Sequence, residues 1–533
     1  MTHRPATIPS ARPAPSRALM LLLTVALIWA AELFAFQAFS FHFDYPVPLA
    51  KRVGAQTVRL LLDVLFSIGL VFLLPRAWTI LAFLGFILFA HGANYYQAVF
   101  DRVLSWNTLQ GQFSEGLKVM PFDWDYANGF LLLALVIALA AKVWLLLRGA
   151  RQADWVSRRR WIGLAALAGY GLLLGVAMRK IDRPDKLRTF VSNERFGMTY
   201  GYLPLWASEF VYRDMTHLLS EAVAQRALAT DRLSAIESPV ALTGDVVVLQ
   251  VESLDWRILN HRVDGRAVTP FLNRLAEDAM LFRIAAIHKN GSGDADFVML
   301  NAVPPSPTLM TYIIDKYPYQ NTLPQVAARA GYTSVAFHGN NGRFFERKKT
   351  FRRMGFTRTL FLEDMRDDRG APTSLWGIRD DTVLEFSRAM IAGHPPAERQ
   401  LHYVITLTSH QPFIYLEPEQ QTFLPGKGDI QSRYFNNMNF VDRQIETYIR
   451  GLPAGTLVVV FGDHRAMVEY DLEAGVRADP AERVPLFIHR VGDRLASQQK
   501  SRSQPVALSG EWTQVDAASY IHQLFLKTVP QDR

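Results

Sequence analysis

Four apolar runs in the second half of the chain end in side chains that can bind metals or carry protons. A single polar ending needs no explanation, because every buried strand must end in something polar. Four endings with the same chemistry indicate a shared site, since carboxylates and imidazoles bind divalent cations and act as acids and bases. They are Glu252 in DVVVLQVE, His338 in GYTSVAFHG, His410 in LHYVITLTSH, and the pair Asp463–His464 in GTLVVVFGDH.

Three of these residues form a plausible set of metal ligands. Glu252, Asp463 and His464 supply two carboxylates and one imidazole. This set suits a divalent ion such as Mn²⁺, Mg²⁺ or Zn²⁺. A fourth ligand is needed, and Ser292 can supply it as an alkoxide oxygen.

Ser292 stands between two glycines in NGSGDADF, a segment that by itself is most simply a surface turn. The residues after it, DADFVMLNAV, can open a helix, with Asp294 and Asp296 in the first turn as partners of the helix dipole. A helix N-terminus and a metal would both stabilise a serine alkoxide, and the glycines would let a phosphoryl group approach the backbone. The segment therefore predicts a nucleophile that reacts through a phospho-serine.

From residue 244 onward, short apolar runs alternate with helical patterns. This alternation predicts an α/β domain with a mainly parallel sheet covered on both faces. In such sheets ligands bind beyond the carboxyl ends of the strands, where the four polar endings would meet. The strand-like runs are 245–252, 331–339, 401–410, 455–464 and 484–489, and helical patterns cover 269–279 and 440–452.

The first 180 residues contain five stretches long and apolar enough to cross a bilayer, which takes about 20 residues. The first is too long for a cleaved signal peptide, and further spans follow it. Arginines in the N-terminus and between the fourth and fifth stretches place the N-terminus in the cytoplasm, so everything after Met178 lies outside. The expected spans are Ala18–Phe39, Thr57–Leu74, Trp78–Phe100, Gly129–Leu147 and Trp161–Met178.

Composition adds two constraints. The chain has no cysteine, so a packed core and not disulfides must stabilise an outer domain. The net charge of +8 comes largely from arginine, part of it in the cytoplasmic loops, and it indicates topology more than a nucleic-acid partner. We expect a disordered N-terminus at 1–17, a five-span domain at 18–178, a juxtamembrane connector at 179–243 and an extracytoplasmic catalytic domain at 244–528.

Five short motifs, in this order, resemble those of lipoteichoic acid synthases, which belong to the alkaline phosphatase and sulfatase superfamily. Five spans followed by an outer catalytic domain are also similar to that family. The resemblance implies the superfamily's α/β fold for the outer domain. The motifs are VESL (251–254), NGSGDADF (290–297), FHGNNGRFFER (337–347), LTSHQPF (407–413) and FGDH (461–464).

The resemblance implies a phosphotransferase with Ser292 as nucleophile and one divalent ion, Mn²⁺ before Mg²⁺ or Zn²⁺. Arg347 and the histidines suit a phosphate pocket, because they can donate to phosphate oxygens or protonate a leaving oxygen. His410 can alternatively serve as a supporting histidine behind the pocket. The implied metal ligands are Glu252, Ser292, Asp463 and His464, and the implied pocket residues are His338, Asn340, Phe345, Arg347 and His410.

Three positions depart from the family pattern. Ser292 replaces the usual threonine, Asn340 replaces an aspartate, and Phe345 replaces a tryptophan. The two pocket changes bear on head-group preference and not on the reaction. The sequence predicts a multi-pass protein of a bacterial inner or plasma membrane. It would move glycerol phosphate from phosphatidylglycerol to a surface glycan or a polyglycerolphosphate chain. The acceptor and the oligomeric state stay open.

Other enzymes of the superfamily are alternatives. A phosphoethanolamine transferase or a metal-dependent phosphodiesterase fits the same residues. The lipid A-modifying transferases usually carry disulfides, however, which a chain without cysteine cannot form. A true sulfatase needs a Cys or Ser in the context C/S-x-P-x-R, and Ser292 is followed by Gly-Asp-Ala-Asp instead.

Two classes without catalysis fit less well. A scaffold or sensor derived from an enzyme would be free to lose a metal ligand, yet all are present. A transporter would explain Glu32, Asp63 and His91 within the expected spans, because polar residues there often mark function. Five spans without repeats are few for a transporter, and Arg59 lies four residues before Asp63, where it can pair with that acid.

Overall fold

The structure is a computed structural model, in which the chain separates into two compact units. One unit comprises Met1–Trp106 and Tyr126–Val211, and the other comprises Asn107–Asp125 and Tyr212–Arg533. The structure describes residues 49–75, 160–179, 200–211, 240–288, 291–306, 310–313, 317–365, 373–374, 376–466, 482–495 and 512–528, with isolated positions at 468, 470 and between 77 and 147.

Three helices are described in the first unit: α1 (Leu49–Leu73), α2 (Arg160–Arg179) and α3 (Tyr202–Val211). The first two contain the expected spans Thr57–Leu74, apart from its last residue, and Trp161–Met178. They pack closely because Gly69 has no side chain, and a Cβ there would lie 2.5 Å from Cδ2 of Leu167.

None of the helices within the described ranges has the length and apolar character needed to cross a membrane. The five-span bundle therefore stays a prediction. Ala18–Phe39 lies outside the described residues, as do most of Trp78–Phe100 and Gly129–Leu147.

One of the three polar residues expected within the spans, Asp63, lies in the described part of the chain. Arg59 Nε lies 3.8 Å from Asp63 Oδ2, which confirms the pairing expected from their spacing. Glu32 and His91 lie outside the described residues.

The second unit is built on a seven-stranded sheet in the order β2-β7-β6-β1-β5-β3-β4. The five strands from β6 to β4 pair in parallel, while β7 runs antiparallel to β6 and β2 antiparallel to β7. The predicted mainly parallel sheet is therefore confirmed. The strands are β1 (Val246–Val251), β2 (Met280–Ala285), β3 (Tyr332–His338), β4 (Arg358–Leu360), β5 (Arg399–Ile405), β6 (Leu457–Gly462) and β7 (Arg483–Arg490).

Two strands of the seven-stranded sheet were not predicted, and both lie at its edges. Two short hairpins, Arg262–Val263 with Arg266–Ala267 and Thr373–Ser374 with Gly377–Ile378, were not predicted either. β2 is buried at only some of its positions, so its sequence MLFRIA is not a continuous apolar run. β4 has three residues, too few for a pattern. Edge strands are exposed on one side and carry a weaker apolar signal than central ones.

Helices cover both faces of the sheet. Val246 and Val248 of β1 pack in the core on one face, while Val247, Leu249 and Val251 pack in the core on the other, as alternation along a strand requires. The helices are α4 (Pro270–Asp278), α5 (Gly293–Asn301), α6 (Leu323–Arg329), α7 (Arg347–Met354), α8 (Leu362–Met365), α9 (Asp380–Gly393), α10 (Ile430–Arg450) and α11 (Gln514–Leu526).

Candidate metal and phosphate site

Glu252, Asp463 and His464 meet at the carboxyl ends of two neighbouring strands. Val251 of β1 is in register with Gly462 of β6, so the residues that follow them come side by side. One ligand atom from each residue lies within 4.8 Å of the others, and all three side chains are buried. The predicted convergence is confirmed for these three residues.

Backbone geometry around Ser253 holds the two carboxylates in place. Ser253 adopts φ 55°, a left-handed conformation that is strained for a serine. Its amide donates to Asp463 Oδ1 at 2.8 Å, and its hydroxyl donates to Glu252 Oε1 at 3.0 Å. The strand β6 can approach this turn because a Cβ at Gly462 would lie 2.1 Å from the carbonyl oxygen of Leu254. Ser253 lies in the motif VESL, but the sequence analysis gave it no role.

The electrostatics of this cluster fit a divalent cation. Burial and the charge of Glu252 raise the pKa of Asp463 well above its usual range. Burial opposes the ionisation of Glu252, but His410 and His464 lower its pKa. Burial alone would lower the pKa of His464, yet the two carboxylates raise it to about 10. A second buried carboxylate is therefore disfavoured until a cation binds beside it, which is the behaviour expected of a cation site.

An oxygen and a nitrogen in the cluster have the orientation that a metal needs. Asp463 Oδ2 is buried and has no hydrogen-bond partner among the described residues. His464 Nδ1 faces the carbonyl of Arg465 at 2.8 Å, so Nε2 points to Glu252 at 3.1 Å. A carbonyl on the outer nitrogen is the usual way to orient a metal-binding histidine. The three residues can therefore hold a divalent ion, whose identity they do not determine.

Ser292 lies directly before α5, as the sequence predicted. It is half-buried, and its side chain makes no hydrogen bond that caps the helix. Gln250, two residues before Glu252 on β1, donates from Nε2 to the carbonyl of Ser292 at 3.4 Å, while Gln250 Oε1 accepts from Tyr403 at 2.8 Å. These contacts hold the serine segment beside Gln250, near the end of β1.

The glycines beside Ser292 are needed for packing. A Cβ at Gly293 would lie 2.9 Å from Met310 Cε and 3.2 Å from Phe345 Cδ2, and one at Gly291 would lie 3.3 Å from Phe345 Cζ. Gly291 also has φ 113°, which side chains rarely adopt. We expected these glycines to admit a phosphoryl group, but the atoms nearest to them belong to Phe345 and Met310.

His338 is buried and neutral. Burial and the charge of Arg347 lower its pKa to about 3. Its Nδ1 faces the carbonyl of Ile405 at 3.2 Å and therefore carries the proton, so Nε2 accepts from Arg347 Nη1 at 3.3 Å. This arrangement corrects our expectation that His338 donates to phosphate, because its one N–H is already used.

Arg347 makes an ion pair that the sequence did not predict. Its Nε donates to Asp296 Oδ2 at 2.8 Å, and its Nη2 lies 3.5 Å from Asp296 Oδ1. Its guanidinium also lies over the ring of Phe345, 5.0 Å from the centroid. We expected Asp296 to be a partner of the helix dipole, but its main partner is this arginine.

Asn340 and His410 complete the predicted pocket residues. Asn340 is buried, and its side-chain oxygen accepts from the amide of Asn341. The ring of His410 lies 4.7 Å from that of Trp376, and its Nδ1 is 2.6 Å from the carbonyl of Gln411. Trp376 was missed, because it lies outside all five motifs.

Two more residues escaped the sequence argument. The ring of His288 stacks on that of His464 at 4.0 Å with an interplanar angle of 10°. Asp380 accepts from the amides of Leu407 and Thr408 at 2.6 and 2.9 Å, which fixes the loop that leads to His410. Burial raises the pKa of Asp380 to about 7. Only the position of His288, four residues before Ser292, was a possible signal.

The sulfatase family model matches residues 244–523, more than half of the chain. The chain belongs to the sulfatase family. The resemblance to lipoteichoic acid synthases is confirmed by two relatives from Bacillus subtilis (strain 168). Lipoteichoic acid synthase 2 is 27% identical over 399 residues, which are 67% of this chain and 58% of that protein. Lipoteichoic acid synthase 1 is 24% identical over 378 residues, which are 64% of this chain and 56% of that protein.

The chain therefore spans less than two thirds of the length of these relatives. Among solved structures, the integral membrane protein lipooligosaccharide phosphoethanolamine transferase A from Neisseria meningitidis has a similar fold. Its TM-score is 0.56 with 14% identity, and the match covers 96% of this chain and 95% of that one. At this identity the likeness concerns the fold alone.

Proposed function

We propose that this sulfatase-family protein is a membrane-bound phosphoglycerol transferase. It takes glycerol phosphate from phosphatidylglycerol and passes it to a surface glycan or a polyglycerolphosphate chain. The observation that carries this proposal is the buried cluster of Glu252, Asp463 and His464 beside Ser292. The names of the relatives, lipoteichoic acid synthases, support the same reaction class.

Ser292 is the proposed nucleophile. Its oxygen forms a bond to phosphorus while the bond from phosphorus to the diacylglycerol oxygen breaks, and the glycerophosphoryl group stays on the serine. An acceptor hydroxyl then attacks the same phosphorus and releases Ser292. A divalent ion, Mn²⁺ before Mg²⁺ or Zn²⁺, would supply activation of the hydroxyl and neutralise charge. Glu252, Ser292, Asp463 and His464 would hold it.

Arg347 is the proposed phosphate clamp. A guanidinium has five N–H donors, and three of them face Asp296 and His338. One N–H remains on each terminal nitrogen, and the two can bind two oxygens of one phosphoryl group. This positive charge stabilises the negative charge that builds up on those oxygens in the transition state.

His410 is the proposed proton carrier. Its Nε2 makes no hydrogen bond among the described residues, while Nδ1 faces the carbonyl of Gln411. The protonated imidazole can give its Nε2 proton to the leaving diacylglycerol oxygen, while the proton of the Ser292 hydroxyl passes to solvent. The neutral ring can then take a proton from the acceptor hydroxyl. Asn340 and Phe345 would line the side of the pocket where the head group binds.

The membrane arrangement is part of the proposal. We infer that residues 18–178 anchor the protein in a bacterial inner or plasma membrane. Residues 179–243 connect this anchor to residues 244–528, the extracytoplasmic catalytic domain. A lipid donor that never leaves the bilayer explains why such an enzyme would be anchored. The names of the relatives are consistent with lipid donors and polymeric acceptors.

The purified full-length protein tests the proposal directly. It would be incubated with Mn²⁺ and phosphatidylglycerol that carries labelled acyl chains, with Ser292→Ala as control. We expect labelled diacylglycerol and a glycerophosphoryl adduct on the Ser292 peptide from the unchanged protein alone. Phosphatidylethanolamine in a parallel reaction identifies a phosphoethanolamine transferase. Turnover of neither lipid would exclude both donors.

A further inference from the structure

We infer that Asp296 is a positioning residue that fixes the guanidinium of Arg347 relative to Ser292. This inference rests on the proposed function. Asp296 lies in the first turn of α5, four residues after Ser292, which immediately precedes the helix; four residues span about 6 Å along a helix axis. The nucleophile and the carboxylate that holds the arginine therefore share one rigid element.

The contacts leave Arg347 little freedom. Asp296 binds the side of the guanidinium through Nε and Nη2, and His338 accepts from Nη1. The ring of Phe345 covers a face of the guanidinium. A planar guanidinium that is bound along one edge and covered on one face can present its remaining N–H groups in only one direction.

The burial of this pair argues against a purely structural role. The side chains of Arg347 and Asp296 are 2% and 0% exposed. Buried ion pairs seldom stabilise a fold more than apolar residues of similar size would, because both charges lose their hydration. Here the pair connects α5, which begins directly after Ser292, to the segment 337–347, which contains four of the proposed pocket residues. This connection indicates that the pair orients the pocket.

His338 supports the same assignment. Because its Nδ1 proton goes to the carbonyl of Ile405, its Nε2 can only accept, and Arg347 is the donor that reaches it. Asp296 on one side and His338 on the other therefore set the plane of the guanidinium. Asp296 acts on the substrate through Arg347 and does not need to touch it.

A double-mutant cycle separates positioning from other roles. The four full-length proteins are the unchanged chain, Asp296→Asn, Arg347→Ala and the double variant, each loaded with Mn²⁺. Calorimetry measures the dissociation constant of glycerol phosphate, and hydrolysis of bis(p-nitrophenyl) phosphate measures kcat and KM. Neither measurement needs the lipid donor, so failure of the lipid assignment cannot be mistaken for failure of this inference.

We expect Asp296→Asn to lower affinity and kcat/KM by about 10- to 100-fold, the usual effect of displacing a catalytic group by about 1 Å. In the Arg347→Ala background, Asp296→Asn should lower affinity and kcat/KM by less than about 2-fold, because no guanidinium is left to position. Equal losses in both backgrounds, or no loss in the first, would overturn the inference. If hydrolysis is undetectable, the cycle of affinities decides alone.

Asp442→Asn is the matched control. Asp442 is another buried carboxylate, on α10, and accepts from the amides of Phe271 and Leu272 at 2.8 Å each. The asparagine keeps one oxygen for these two amides and should leave the affinity for glycerol phosphate unchanged. If Asp442→Asn weakened binding as much as Asp296→Asn at equal stability, general loosening of the fold would explain both effects and the positioning role would be rejected.

Discussion

The imidazole Nε2 of His464 lies 3.1 Å from the carboxylate of Glu252, although more than two hundred residues separate them. The register between β1 and β6 causes this contact, because it pairs Val251 with Gly462 and so aligns the residues after them. The contact places an imidazole against one of two crowded carboxyls, and His410 also offsets the charge of Glu252. The first prediction follows from that charge.

Asp463→Asn should separate metal binding from stability. Removing a charged ligand should weaken Mn²⁺ binding by at least about 100-fold. The metal-free protein should instead gain stability, because a carboxyl whose folded pKa is raised destabilises the fold at every pH above its unfolded pKa. Calorimetric metal titration and thermal melting in a chelator measure the two effects. A lower melting temperature for the metal-free variant would contradict the charge argument.

The stack of His288 on His464 predicts a graded effect on metal affinity. His288→Ala removes the ring that holds the His464 plane and should weaken Mn²⁺ binding by about 10-fold, as loss of a supporting contact does. His288→Phe keeps an aromatic ring there and should retain most of the affinity. Metal titrations of the three proteins provide the comparison. Equal losses in the two variants would show that stacking is not what matters.

Gly293→Ala should destabilise the second unit by about 1–3 kcal/mol, the cost of overpacking. The new Cβ would lie 2.9 Å from Met310 Cε and 3.2 Å from Phe345 Cδ2, so Met310 or Phe345 must move. Met310→Leu shortens the nearer side chain, so the double variant should lose less than the sum of the single changes. Urea unfolding of the four proteins measures this, and strict additivity would contradict the proposed clash.

The neutral state of His338 predicts a pH dependence. Its pKa is lowered to about 3 in the folded protein, so its contribution to stability is lost as pH falls through the unfolded value of 6.5 toward 3. His338→Gln removes this contribution. The stability difference between the unchanged protein and the variant should therefore shrink by about 2 kcal/mol between pH 7 and pH 5. Urea unfolding at several pH values tests this, and parallel pH curves would exclude it.

The central strands and the candidate metal ligands could be predicted from the sequence because they depend on local patterns. A strand buried on both faces must be continuously apolar, as in VVVLQV and LVVVFG, and the polar residue that ends it must lie at the rim. Parallel strands place these endings on one edge, so Glu252, Asp463 and His464 could be brought together without coordinates. The motif order then indicated Ser292 and the pocket residues.

The remaining features depend on contacts between segments distant in sequence, which no local pattern encodes. The Asp296–Arg347 pair, the stack of His288 on His464 and the contact of Trp376 with His410 each join separate elements. The neutral state of His338 likewise depends on burial and on the charge of Arg347. Composition and periodicity determined which residues could do chemistry, while tertiary packing decided which partners orient them, because burial and short distances exist only in the folded chain.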